Sequence, residues 1–108
     1  MKRIFFFSLP LLAILNLFAK DVYIYPGPNA QERLQEALIL IDEGDTLIIK
    51  SGYYKFEDGL SLDVDDVTIK GEGIDSTILD FKNQQSGAQG LLVTSDRVTL
   101  SDFSILDA

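Results

Sequence analysis

The 108-residue sequence contains no cysteine and no histidine. Without cysteine the chain has neither disulfide bonds nor the lipid-attachment residue of a lipoprotein, so packing alone must hold its fold together. Without histidine it lacks the commonest general base and the commonest metal ligand. The absence of histidine excludes Ser-His-Asp catalysis and histidine-ligated zinc within this chain.

Basic side chains are also few, because 9 Lys and Arg residues stand against 17 Asp and Glu residues. Proteins bind nucleic acids and anionic membranes through cationic patches that neutralise phosphate. The acidic balance therefore argues against nucleic acid and against an anionic membrane surface as partners.

Residues 1–19 have the pattern of a signal peptide. Lys2 and Arg3 precede an almost uninterrupted apolar run from Ile4 to Phe18, and Ala19 supplies a small residue for cleavage. The run is shorter than the roughly 20 apolar residues that a membrane-spanning helix needs. We expect cleavage after Ala19 and export to the periplasm or the extracellular space, with no membrane attachment afterwards. An uncleaved membrane anchor is the alternative, and cleavage would leave 7 basic against 17 acidic side chains, a net charge of −10.

Residues 20–44 predict a strand and an amphipathic helix. The strand covers Asp21 to Tyr25, where apolar and polar side chains alternate. For the helix, Asn29 suits the N-cap, Glu32 completes a capping box, and Gly44 provides a stop signal. Its apolar stripe consists of Leu34, Ala37, Leu38 and Ile41. We expect this segment to cap the apolar end of the structure that follows.

An eleven-residue segment occurs twice, as GLSLDVDDVTI from Gly59 to Ile69 and as GLLVTSDRVTL from Gly90 to Leu100. Self-similarity at such a period is typical of stacked repeat architectures. The alignment pairs the apolar positions in register: Leu60 with Leu91, Leu62 with Val93, Val67 with Val98, and Ile69 with Leu100. A weaker match at an offset of 20 places Leu47 and Ile49 beneath Val67 and Ile69.

Residues 45–108 otherwise read as short strands separated by Gly, Asp, Asn and Ser. The predicted strands are 46–50, 53–56, 60–64, 67–70, 77–81, 91–94, 98–100 and 103–106. The polar stretch from Lys82 to Gln89 predicts a projecting loop. Its glutamines at 84, 85 and 89 suit hydrogen bonds to sugar hydroxyls, but nothing in their spacing demands this, and a solvated connector with no ligand is the favoured interpretation.

The segment Gly44–Tyr53, preceded by Leu34–Leu38, resembles the opening of right-handed parallel β-helix proteins of the pectin-lyase-like superfamily. Val67–Gly73, Thr77–Phe81 and Ser86–Val93 are similar to an exported bacterial subfamily of parallel β-helix repeat proteins. That subfamily is related in fold to pectate lyases, alginate epimerases and periplasmic copper-site maturation proteins.

The resemblance covers Val22 to Ala108 and implies an all-β fold, a right-handed parallel β-helix or solenoid with an N-terminal amphipathic capping helix. Residues 45–108 would form its first two to three coils. A last coil without a C-terminal cap would leave bare strand edges, so we expect the remaining coils of a longer chain as a partner.

For function, the resemblance implies the N-terminal part of a carbohydrate-associated protein of the pectate lyase or epimerase type, with acidic polysaccharide as its partner. In the enzymes of this superfamily the catalytic residues lie on central coils. We therefore expect no catalytic residue, no cofactor and no complete active site in this chain, and leave open whether the full-length protein is an enzyme. The alternative function is a non-catalytic exported β-helix for surface binding, adhesion or assembly.

Four aspartates are candidate calcium ligands: Asp63, Asp65, Asp66 and, at the repeat position of Asp65, Asp96. Calcium takes six to eight oxygen ligands, and clustered carboxylates supply them. The alternative is that these aspartates form the turns that precede each Val-Thr strand, because an Asp side chain accepts hydrogen bonds from nearby backbone amides.

Four tyrosines, at positions 23, 25, 53 and 54, are candidates for sugar stacking. Tyrosine is also a favoured strand residue that packs its ring and keeps its hydroxyl wet. The sequence alone favours the packing interpretation for all four.

Overall fold

The computed structural model describes residues 19–108, so the predicted signal peptide up to residue 18 lies outside the described residues. The described part consists of nine strands and one helix. Their bounds are β1 Asp21–Ile24, α1 Ala30–Leu40, β2 Thr46–Ile49, β3 Gly52–Lys55, β4 Asp58–Leu62, β5 Thr68–Lys70, β6 Thr77–Asp80, β7 Ser86–Val93, β8 Thr99–Ser101 and β9 Ser104–Leu106.

The strands form three sheets, and every pair of neighbouring strands is parallel. The first sheet has the order β1-β2-β5-β8, the second β3-β6-β9, and the third β4-β7. Short corners connect strands of different sheets, so chain neighbours such as β2 and β3 never pair with each other.

The expectation of an all-β right-handed parallel β-helix with two to three coils over residues 45–108 is wrong. The described residues form a small α/β-type domain with several parallel sheets and one short helix, and these sheets do not close into a solenoid. The physical reason lies in the sheets themselves, which contain four, three and two strands, so the strands do not repeat as equal coils of three. The repeat specifies in-register parallel pairing, which several parallel architectures share, and it does not specify closure into coils.

The strand register follows the repeat closely. Leu60 pairs with Leu91, Leu62 with Val93, and Ile69 with Leu100, which confirms the predicted alignment of these positions. The weaker match is wrong by two residues, since Leu47 pairs with Ile69 and not with Val67.

The predicted loop from Lys82 to Gln89 is shorter than expected. Strand β7 begins at Ser86, which pairs with Asp58, and the register then shifts by a bulge between Asp58 and Leu60. Gly87 adopts φ 84, and a Cβ atom there would lie 3.1 Å from the backbone nitrogen of Gly59. Glycine therefore lets the two backbones approach at the bulge, and the extra residues of the second repeat are absorbed within a strand.

The core lies between the three sheets and the helix. Each sheet contributes apolar side chains that meet in register, such as Val22, Leu47 and Ile69 in the first sheet. Three aromatic rings, Tyr54, Phe56 and Phe81, stack with centroid separations of 6.5 and 4.8 Å. Burial raises the pKa of Tyr54 to about 12, and its hydroxyl donates a 2.8 Å hydrogen bond to the Lys50 carbonyl.

Helix α1 packs its predicted stripe into this core, because Leu34, Leu38 and Ile41 are buried. The predicted capping box is wrong: Asn29 is the N-cap, but it adopts the left-handed conformation with φ 61 and its side chain makes no capping hydrogen bond. The helix also ends at Leu40, before Gly44, because Ile41 is already extended with φ −64 and ψ 146.

Two glutamines one helical turn apart satisfy the free backbone edge of β4. The Gln35 side chain accepts a hydrogen bond from the Ser61 amide at 3.0 Å and donates one to the Ser61 carbonyl at 3.3 Å. The Gln31 side chain accepts from the Glu57 amide at 2.7 Å. Their side-chain amides thus take the place of a neighbouring strand, since an amide offers a donor and an acceptor as a peptide group does.

The three sheets begin with β1, β3 and β4, and they end with β8, β9 and β7. Leu100 and Ile105 occupy core rows there, yet 46% and 38% of their surfaces are exposed. Within residues 19–108 no further strand pairs with β7, β8 or β9, so apolar side chains of these strands remain partly exposed to solvent.

We expect Gln35→Ala to lower the free energy of unfolding by about 1–2 kcal/mol, because two hydrogen bonds to the β4 backbone are lost. Glu36→Ala is the matched control on the exposed side of the same helical turn, and it should cost less than about 0.5 kcal/mol. Urea unfolding of both variants measures the difference. Equal losses in the two variants would show that the helix does not satisfy the strand edge.

Candidate functional site

A cleft of about 500 Å³ lies between the start of α1 and strand β3. Its walls come from Gly27, residues 29–32, residues 53–57 and Asn83. Most of these side chains are polar, and they include a lysine, two glutamates and three carboxamides beside the ring of Tyr53. Such a lining offers hydrogen-bond donors and acceptors around one aromatic surface.

Alternation along β3 positions the strand's contribution to this cleft. Tyr54 points into the core and is buried, so Tyr53 and Lys55 point outward, and 51% of the Tyr53 surface is exposed. From the helix side, Asn29 contributes a side chain that makes no capping hydrogen bond. Asn29 and Asn83 have no hydrogen-bond partner for their side chains within the described part of the chain.

Asp80 fixes the orientation of the Tyr53 ring. The Tyr53 hydroxyl donates a short hydrogen bond to Asp80 Oδ2, and the Lys82 amide donates a 2.8 Å hydrogen bond to Asp80 Oδ1. The hydrogen bond from Tyr53, followed by that from Lys82, lowers the pKa of Asp80, and the same bond to Asp80 raises the pKa of Tyr53. The exposed ring is therefore held in place before any ligand arrives.

Two more tyrosines lie on the outer face of the first sheet. Tyr23 and Tyr25 point away from the core on alternate positions of β1 and its extension, with exposed fractions of 50% and 56%. Neither hydroxyl has a hydrogen-bond partner within residues 19–108. The packing interpretation is thus confirmed for Tyr54 alone, and it is wrong for Tyr23, Tyr25 and Tyr53, whose rings are half exposed.

Lysines accompany these rings on the same face. Tyr23 pairs with Ile48 in β2, and Ile48 pairs with Lys70 in β5, so Lys70 lies two strands from Tyr23. Lys50 follows β2 and forms a 2.9 Å ion pair with Glu72. The hydrogen bonds from Lys50 and from the Ser51 amide lower the pKa of Glu72 to about 2, which keeps this carboxylate charged and paired.

The four calcium candidates do not converge on one point. Asp63 accepts a 2.8 Å hydrogen bond from the Thr94 hydroxyl, and Asp65 accepts one of 2.8 Å from the Asp96 amide. Asp66 adopts a left-handed turn conformation with φ 58, and its amide donates to the Asp96 carbonyl. These contacts are typical of turn residues, and they join the turn after β4 to the turn after β7.

Within residues 19–108, no three carboxylates lie close enough together to hold a metal ion. The loop glutamines also have a structural part, since Gln84 donates a 3.0 Å hydrogen bond to the Ser86 carbonyl and accepts one from the Gly90 amide. Gln85 is exposed, and the side chain at position 89 lies outside the described ones.

The chain matches no protein-family model, no curated protein and no solved structure. The eleven-residue helix α1 is too short to cross a bilayer, and it is the sole helix of the described part.

Sequence patterns alone missed Lys55, Asp80 and Asn83 as parts of this site. Lys55 could have been found, because it lies two residues after Tyr53 and so shares its face of a strand. Asp80 could not, because its position beside Lys55 depends on the pairing of β3 with β6.

We expect Tyr53→Phe to destabilise the protein in a pH-dependent way. The pKa of Asp80 is lowered in the fold, so its contribution is present above the unfolded value of about 3.9 and lost as the pH falls through the folded value. The pKa of Tyr53 is raised, so its contribution is present below about pH 10 and lost as the pH rises through the folded value. The gap in urea midpoint between wild type and Tyr53→Phe should therefore be widest between about pH 5 and pH 9.

Tyr25→Phe is the matched control for this experiment, because it removes a tyrosine hydroxyl that has no partner among the described residues. Its urea midpoint should follow that of the wild type at every pH. A Tyr53→Phe gap that is constant from pH 3 to pH 11 would contradict the role of Asp80.

Calcium binding by the aspartates is also testable. If these residues are turn formers, calcium at millimolar concentration should raise the melting temperature no more than magnesium does, because no ligand cluster is preformed. Asp65→Asn separates the two interpretations further. A calcium-specific rise that this substitution abolishes would establish the metal site.

Proposed function

We propose that this chain is exported and binds polysaccharide, and that it does so without cleaving the polymer itself. The observation that carries the proposal is the polar cleft beside Tyr53, whose exposed ring is held by Asp80. Sugars present hydroxyl groups around a ring with apolar C–H faces. An oriented aromatic ring with amide, carboxylate and ammonium groups beside it complements both features.

The size of the cleft suits a short stretch of such a polymer. Ligand sites typically enclose 300–1,000 Å³, and this cleft has about 500 Å³. The cleft is open along β3 and the start of α1 rather than enclosed. A polymer chain can therefore enter it from solvent.

Tyr25 supports an extension of the binding surface. It lies two residues before Gly27, which lines the cleft, so at most about 7 Å of backbone separates them. Tyr23 and Tyr25 share the outer face of β1 and are spaced by about 7 Å along the strand. A linear polymer can contact the cleft and these rings together.

The lysines favour an acidic polymer over a neutral one. Lys55 lines the cleft, and Lys50 and Lys70 lie on the face that carries Tyr23. The net charge of the whole chain is −8, which repels a polyanion at long range. At physiological ionic strength this repulsion is screened beyond about 8 Å, so attraction to an acidic polymer rests on direct contact with Lys55 and Lys70, against the Glu32 and Glu57 carboxylates that also line the cleft.

We expect residues 20–108 to bind polygalacturonate in affinity electrophoresis, and Tyr53→Ala to weaken binding by about three- to tenfold through loss of the ring contact. Tyr53→Phe keeps the ring and should retain most of the affinity. Ile39→Ala, which removes an exposed apolar side chain at the C-terminal end of α1 and outside the cleft, is the matched control and should bind as the wild type does.

The choice of polymer and salt tests the role of the lysines. From about 150 to 500 mM salt, where the long-range repulsion is already screened, binding to polygalacturonate should weaken as salt screens the lysine contacts, and neutral galactan should bind less tightly. Equal binding of the two polymers at both salt concentrations would overturn the acidic preference. No binding of either polymer would overturn the proposed function.

The proposed lack of cleavage is checked separately. Residues 20–108 should release no unsaturated products and no reducing ends from uronate polymers. Turnover that Glu32→Gln or Glu57→Gln abolishes would instead make the cleft an active site, because these two carboxylates line it.

A further inference from the structure

The carboxylate of Asp45 is buried next to the backbone nitrogen of Lys20. Its side chain has no exposed surface, and its Oδ1 atom accepts a 3.0 Å hydrogen bond from that nitrogen. The other oxygen, Oδ2, accepts hydrogen bonds from Lys20 Nζ at 2.6 Å and from the Asp42 amide at 3.1 Å. Lys20 thus contacts this carboxylate with its backbone and its side chain at once.

The sheet fixes the position of this nitrogen. The Lys20 carbonyl accepts a 3.0 Å hydrogen bond from the Thr46 amide, and the next residue, Asp21, pairs with Thr46 at the start of the first sheet. Ala19 is exposed. The nitrogen of Lys20 therefore stays beside Asp45 whether or not a residue precedes it.

The charges around this nitrogen are unbalanced. Lys20 Nζ pairs with both Asp42, at 3.2 Å, and Asp45, at 2.6 Å, so two carboxylates share one ammonium group. Arg33 and Glu36 line a groove together with Lys20 and offset each other. One additional positive charge at the Lys20 nitrogen would neutralise the cluster.

We propose that Asp45 is a preformed acceptor for the α-ammonium group of Lys20, which appears when the leader is cleaved after Ala19, so that processing stabilises the mature fold. The inference rests on the export proposed above. Cleavage by a signal peptidase breaks the Ala19–Lys20 peptide bond. Water supplies a hydroxyl group to the Ala19 carbonyl carbon and a proton to the Lys20 nitrogen, which takes a further proton from solvent.

Cleavage thereby changes a neutral hydrogen bond into an ion pair with a buried carboxylate. Charge-assisted hydrogen bonds are roughly twice as strong as neutral ones. Burial raises the pKa of Asp45, but the hydrogen bonds from Lys20 and Asp42 outweigh it and hold the pKa below its usual value, so the acceptor is charged at neutral pH. The precursor lacks this ion pair and is the less stable form.

The stabilisation depends on pH with a definite sign. An α-amino group has an ordinary pKa of about 7.7–8.0, and the ion pair with Asp45 raises it in the fold. The added stability is fully present below the unfolded pKa and is lost as the pH rises through the folded pKa. Lys20 Nζ titrates at higher pH, because its hydrogen bonds to Asp45 and then Asp42 raise its pKa.

The experiment compares residues 20–108 carrying a free Lys20 α-amino group with the same chain acetylated at that nitrogen by semisynthesis. These residues contain the whole described core. At pH 6.5 the free form should have the higher urea midpoint, by about 0.3–1 M. The gap should close by about pH 10 as the α-amino group loses its charge.

Asp45→Asn supplies the second arm, since the gap between free and acetylated forms should vanish without the carboxylate. If this variant does not fold, the pH dependence of the gap in the wild-type sequence decides alone. Equal midpoints of the two wild-type forms, or a gap that persists at pH 10, overturn the proposal.

N-terminal sequencing of the exported protein tests the processing step independently. A mature end at Lys20 supports the proposal, and cleavage elsewhere overturns it. Neither outcome depends on polysaccharide binding, so failure of the proposed function remains distinguishable from failure of this inference.

Discussion

In-register parallel pairing is the interaction on which the rest of this structure depends. A parallel strand pair places like positions directly above each other, so an apolar residue of one level meets an apolar residue of the next. Leu47 and Ile69 illustrate the result, since both are fully buried within one row. The same geometry stacks outward residues, and it therefore brings Lys55 beside Asp80 and sets Tyr53 against the carboxylate that orients it. The same strand register therefore determines both the core and the candidate site.

Local pattern predicted the elements well where periodicity was strong. The structure confirms the buried apolar positions Leu34, Leu38 and Ile41 and the strand pairs Leu60–Leu91 and Ile69–Leu100. Burial requires apolar side chains at regular spacings, and these spacings are visible in the sequence. The closure of the sheets was not predictable in the same way. It depends on how the strands are shared among the sheets, here four, three and two, and the pattern within a single strand carries no information on that.

Most of the candidate site could not be predicted from the sequence, because its residues come from different strands and from the start of α1. Tyr23, Tyr25 and Tyr53 are ordinary strand residues by composition, and only the burial of their alternate neighbours shows that their rings face outward. The aspartates show the reverse. Their closeness in the sequence predicts a shared ion, whereas in the structure they form hydrogen bonds between the turn after β4 and the turn after β7, for example from the Asp96 amide to Asp65.

The hydrogen bonds from the two glutamines of α1 make the two edges of the third sheet different. Strand β4 has its outer edge occupied by the side chains of Gln31 and Gln35, whereas β7, the other strand of the same sheet, has no further strand beside it within residues 19–108. Head-to-tail addition of copies would have to displace the helix at every junction, so open-ended polymerisation carries a recurring penalty. A single amphipathic helix thus limits the addition of further strands at one of the two ends of the sheets.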